Sequence, residues 1–123
     1  MVLTQIKTLA GQLSNNINEV NSQQRALLHI SAVFACNFTN HLYHIAQKIL
    51  EDAGLNFDLL HPLIQQTNDK VMLNKPSEVQ TGPGKRNDEQ TMLKHLAILQ
   101  AQPNWQDLYQ KLSQNIVKIH HLS

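Results

Sequence analysis

"QQRALLHISAVFACNFTNHLYHIAQKILED", Gln23 to Asp52, decides the fold, because it contains neither glycine nor proline. Leu27, Ile30, Phe34, Phe38, Leu42, Ile45 and Ile49 recur at spacings of three and four, the period of one helix face. Leu28, Val33, Ala35, Ala46 and Leu50 widen that stripe. An apolar surface this broad predicts a long central helix buried on more than one side. Asn21 or Ser22 supplies a side-chain oxygen for its N-terminus, and Gly54 stands where a left-handed C-terminal cap is usual.

Working outward, the other segments are also helical. Val2, Ile6, Leu9 and Leu13 mark a first helix that fades at Ser14 to Asn16, and "INEV", Ile17 to Val20, reads loosely as a short extended piece. Asn56 caps a third helix with Leu59, Leu60, Leu63, Ile64, Val71 and Met72 as apolar positions. Pro62 lies inside it, lacks an N–H and crowds the preceding turn, so a kink or break is expected there. Asn87 or Asp88 caps a fourth helix with Met92, Leu93, Leu96, Ile98 and Leu99. A fifth starts near Asn104 and carries Trp105, Leu108, Tyr109, Leu112, Ile116 and Ile119. No sheet is left over, so the expected fold is all-α, a bundle of about five helices.

Between the third and fourth helices, "NKPSEVQTGPGKRN" (Asn74 to Asn87) shows no periodicity. Connections this long inside a compact domain are more often functional than mere spacers.

Composition narrows the function. At 123 residues with 41% hydrophobic and 15% charged residues, the chain is globular. Its formal net charge of +1 gives no reason to expect nucleic acid or an acidic membrane as partner. No apolar run approaches a membrane span and the N-terminus does not read as a signal peptide. The single cysteine, Cys36, forbids an internal disulfide and fits a reducing cytoplasm.

The polar residues of the long helix are the first candidates for chemistry. Asn37, Asn40, His41 and His44 stand at i, i+3, i+4 and i+7, one face of an α-helix, and His29 extends it. Solvent faces usually collect Lys and Glu, whereas Asn and His position ligands by hydrogen bonds. Ligand-facing and structural readings stand level. Zinc is disfavoured, because ligands strung along one helix do not converge tetrahedrally and no third ligand has metal-site spacing. His120 and His121 read as an exposed, frayed end. Cys36, mid-helix among apolar neighbours, reads as a small core residue and not as an activated thiolate. In "TGPGKRND", Thr81 to Asp88, the GxxxxGK[ST] spacing is missing and no strand precedes it. Lys85 and Arg86 read either as solvated charges or as a grip on an anion.

Two segments taken together resemble a known group. "LLHISAVFACNFTNHLYHIAQKIL" and "QTGPGKRND" are similar to the C-terminal helical domain, of unknown function, of Rossmann-type oxidoreductases related to pyrroline-5-carboxylate reductase and 6-phosphogluconate dehydrogenase. The match is carried by His29, Ala32 to Ala35, Asn37, Phe38, Asn40, His41 and Leu42, and by Gln80 to Pro83, Arg86 and Asp88. Cys36 replaces the usual serine and Gly84 the usual alanine, both small-for-small changes.

The resemblance implies that residues 1–20 are the end of a preceding dinucleotide-binding domain and 21–123 the helical domain. The chain is then a fragment or separately expressed half, with residues 2–13 packing on another copy or folding back on the bundle. It further implies a homodimer, and substrate contacts from Asn37, Asn40, His41, Thr81, Gly82 and Arg86. No cofactor is expected in this chain, while NADP or NAD is implied for the full-length protein. The expected role is the substrate-side and dimerisation domain of an oxidoreductase, inactive without its Rossmann domain. The alternative is a stand-alone helical interaction module without enzymatic activity.

Overall fold

A computed structural model describes residues 20–121. The predicted first helix and most of the "INEV" segment lie outside the described residues. The described chain is helical, with no strand among the described residues, so the fold is all-α. Two compact units divide it in sequence, Met1–Ala53 and Gly54–Ser123.

The first unit holds one helical run of 31 residues from Ser22 to Asp52. It has three parts: α1 (Ser22–Ala32), a π-helical segment (Val33–Phe38) and α2 (Thr39–Asp52). Asn21 starts it with a capping box: its Oδ1 accepts from the Gln24 N–H at 2.8 Å and Gln24 Oε1 accepts from the Asn21 N–H at 2.9 Å. After Ala53 the chain leaves through Gly54 at φ +75°, a left-handed position that favours glycine.

The π-helical segment departs from the sequence expectation of one uniform α-helix. Its hydrogen bonds reach five residues back instead of four, so a turn takes up more residues. Phe34 and Phe38 meet edge-to-face inside it with ring centroids 5.0 Å apart. The Thr39 hydroxyl donates to the Phe34 carbonyl at 3.4 Å, giving that oxygen a partner at the segment's end.

Among the described residues, the expectation of a helix buried on more than one side is not met. Ile45 is the buried hydrophobic residue among those described. Leu27, Ile30, Phe34, Phe38, Leu42 and Ile49, its companions in the stripe, are all exposed, Phe34 by 64%. Cys36 is exposed as well, so it is not the core residue its neighbours suggested. The cause is the same for both: the stripe has the width of a buried surface, but the described residues of its own unit do not cover it.

In the second unit, Asn56 Oδ1 accepts from the Asp58 N–H at 2.9 Å and opens a 3-10 turn, Phe57–Leu60. The α-helix proper, α3 (His61–Leu73), begins at the proline: Pro62 occupies its first turn, where a missing N–H costs nothing. Next come a 3-10 turn (Pro76–Glu78), the short α4 (Pro83–Arg86), α5 (Glu89–Ile98), a further 3-10 turn (Leu99–Ala101) and α6 (Pro103–His121). Both α4 and α5 pack on α6. Gln106 Nε2 ties α6 to α5 by donating to the Leu96 carbonyl at 2.7 Å, and His95 Nδ1 meets the Tyr109 hydroxyl at 2.7 Å. Burial raises the Tyr109 pKa above its ordinary value, with a hydrogen bond to Ser113 opposing.

Candidate functional site

The segment Gln80 to Asp88 is folded. Gly82 precedes α4 at φ +100°; a Cβ there would meet nothing within 4 Å, so backbone conformation, not crowding, calls for glycine. Pro83 then fixes the first helical position. The turn closes through Asn87, itself left-handed at φ 53°, while the Asp88 N–H returns to the Pro83 carbonyl at 2.8 Å. Having taken that conformation, Asn87 leaves Asp88 to cap α5. Asp88 Oδ1 accepts from the Thr91 N–H at 3.1 Å, and Oδ2 from the Thr91 hydroxyl at 2.7 Å. These bonds, the hydroxyl first, hold the Asp88 carboxyl below its usual range; Arg86 and Lys94 add to the effect, against partial desolvation.

Gly84 is buried for a different reason. A β-carbon would lie 3.2 Å from Ile116 Cγ2 and 3.5 Å from the Ser113 carbonyl oxygen. This close approach seats α4 on α6.

Lys85 and Arg86, adjacent in sequence, have different surroundings. Lys85 Nζ donates to His120 Nδ1 at 3.1 Å, and His121 Nε2–H donates to the Lys85 carbonyl at 2.6 Å. His120 and His121 are therefore not a frayed end; they clamp α6 to α4. Burial, then the Lys85 charge and His121, hold the His120 pKa below its ordinary value. Arg86 is exposed and, among the described residues, has no carboxylate within ion-pair distance.

Thr81, Gly82 and Arg86 thus belong to one built element of the second unit. Thr81 is exposed, at the edge of a cavity of about 280 Å³ between α3 and the chain leading into α4. Arg86 is not in its wall, whereas Lys70, which sequence reasoning passed over, is. A second, more apolar cavity of about 460 Å³ runs along α5 and α6, past Met92, Leu96 and Tyr109.

In the first unit, Asn37, Asn40, His41 and His44 are all exposed. Asn37 lies near the end of the π-helical segment; Asn40, His41 and His44 follow in α2. The His41 and His44 rings stack with centroids 6.4 Å apart. Segments of this bonding type occur frequently at functional sites. The widened turn also moves His29 towards Asn37: eight residues of pure α-helix leave two positions about 80° apart, and absorbing one residue cuts that to about 20°. Among the described residues, no three His, Cys, Asp or Glu side chains are placed to hold a metal ion. No described helix is long and apolar enough to cross a membrane.

These features define an all-α domain with a long helix whose apolar stripe is exposed among the described residues, and a tightly folded Gly-Pro turn. The chain belongs to the family described as a domain of unknown function, DUF2520, whose model matches residues 2–116. It is also similar to a crystal structure from Bacteroides fragilis described as a "putative NADP oxidoreductase", at 44% identity and a TM-score of 0.77. That match covers 80% of this chain and 38% of the other, so the chain spans under half the length of that protein. No curated protein matches the sequence.

Proposed function

We propose that the chain is the substrate-side and dimer-forming domain of an NADP-dependent oxidoreductase, acting with a separate nucleotide-binding domain. The observation that carries this reading is the open stripe Leu27, Ile30, Phe34, Phe38 and Leu42, whose contiguous apolar area suits a partner surface. A second copy of the chain is the proposed partner. The described residues do not fit a dinucleotide: they contain neither the strand nor the G-x-G-x-x-G turn that cradles a pyrophosphate at a helix N-terminus. No step of hydride transfer is therefore assigned to them. Asn37, Asn40, His41, Thr81, Gly82 and Arg86 are proposed to face the substrate, Arg86 towards an anionic group. The similarity to the Bacteroides fragilis protein supports NADP over NAD for the whole enzyme.

Light scattering on the purified chain tests the dimer. The expected result is twice 14.0 kDa for the wild type and a monomer for Phe38→Glu. A wild-type monomer at tens of micromolar would remove the dimer from the proposal. Calorimetry with NADPH is expected to give no binding, and micromolar affinity would overturn the division of labour between domains. The same open stripe also suits a helical interaction module without catalysis. The two readings separate on the coding sequence directly upstream: a G-x-G-x-x-G strand–helix unit favours the oxidoreductase.

A further inference from the structure

The cavity between α3 and the chain entering α4 has an unusual distribution of donors. Gln66, Thr67 and Lys70 line it from α3; Gln80 and Thr81 line it from the other side. No Asp or Glu is in its wall. Asp69, beside Lys70 in sequence, is engaged elsewhere, its carboxylate accepting from Gln65 Nε2 at 2.8 Å. Glu78 stands in the nearby 3-10 turn but outside the wall. Among the described residues Lys70 has no carboxylate partner, and the Thr81 hydroxyl has no hydrogen bond. The Thr67 hydroxyl spends its proton on the Leu63 carbonyl at 2.9 Å, which orients that side chain.

The rest of the wall is apolar: Leu63, Val71, Pro76 and Val79. A volume of about 280 Å³ lies just below the roughly 300–1,000 Å³ of drug-sized ligand sites and suits a smaller molecule. We infer that this cavity is a subsite for a small aliphatic carboxylate, its oxygens on Lys70 Nζ and the Thr81 hydroxyl and its hydrocarbon body on Leu63 and Val79. One lysine matches one negative charge, and an ammonium with a hydroxyl beside it supplies the charge-assisted bonds a carboxylate accepts. The apolar half of the wall favours a carboxylate with a hydrocarbon body over inorganic phosphate. As a substrate subsite, the assignment rests on the oxidoreductase reading above and adds at Lys70 a second anion grip, apart from the one proposed for Arg86.

Titration of the full chain with isovalerate, followed by amide chemical shifts, tests the assignment. Saturable shifts are expected at Thr67, Lys70, Gln80 and Thr81. Lys70→Gln is expected to weaken binding at least tenfold and Lys70→Arg much less; all three residues are good helix formers, so α3 is retained. The neutral isostere isovaleramide is expected to bind at least tenfold more weakly, and inorganic phosphate more weakly than isovalerate. Shifts gathered at Lys85 and Arg86, equal binding of the amide, tighter binding of phosphate, or no saturation would each overturn the subsite. The titration involves neither nicotinamide nor turnover, so its failure leaves the oxidoreductase reading standing, and failure of that reading leaves the binding result intact.

Discussion

Adding a β-carbon at Gly84 measures how tightly α4 is seated on α6. The added methyl would sit 3.2 Å from Ile116 Cγ2 and 3.3 Å from Ile116 Cβ, inside the roughly 3.5–4.0 Å of ordinary carbon contact. Ile116 must give by a few tenths of an ångström. Against that strain, alanine restricts the unfolded chain and contributes about 0.4–1 kcal/mol where the native conformation suits it, as a helical turn does. The two effects are of similar size, so Gly84→Ala is expected to change stability by less than about 1 kcal/mol. Valine adds two further methyl groups with no compensating gain, and overpacking of this kind costs about 1–3 kcal/mol. For a unit of this size the melting temperature should fall by about 4 °C or more. Circular-dichroism melts at one fixed protein concentration provide the measurement. Gly84→Val melting with the wild type would refute the close packing of α4 on α6.

Other outcomes follow from the same element. His120 has a folded-state pKa below its ordinary 6.5, so the unfolded chain takes up its proton first as pH falls. Stability should therefore drop as pH falls from about 6.5 through that lowered value. His120→Gln should flatten the difference in melting temperature between pH 7.5 and 5.5; an unchanged slope would show that His120 is not the sensor. On the proposed oxidoreductase reading, Arg86→Ala in a protein joining this domain to a nucleotide-binding domain should reduce turnover and leave the melting temperature nearly unchanged; a large stability loss with normal kinetics would make the residue structural.

The helix boundaries were legible because their signals are local. Asn21, Gly54, Asn56 and Asp88 each act within a few residues, and each stands where its chemistry predicts; Pro62, expected inside the third helix, instead lies in its first turn. Helix α4 escaped notice because four residues carry no periodicity. Its flanks did carry a signal, a proline at the first position and an asparagine able to turn left-handed at the end. The clamp of His120 and His121 on Lys85 joins positions 35 and 36 residues apart, and nothing local announces it. Lys70 was missed for the same reason, since its cavity needs α3 and Thr81 side by side. The stripe of the long helix was read correctly as apolar, but an apolar pattern does not say whether its cover lies in the same chain.

Between Val33 and Phe38 the long helix holds its π-helical segment. The apolar positions Leu27 and Ile30 belong to one half; Asn40, His41 and His44 belong to the other. Because the widened turn absorbs one residue, removing a single residue from it would restore an uninterrupted α-helix and leave the second half in nearly the same phase. The same deletion in a plain α-helical stretch would turn everything beyond it by about 100° about the axis. The segment therefore works as a length buffer. In related chains, a one-residue gap inside it would shorten the helix and leave the aim of Asn40, His41 and His44 unchanged.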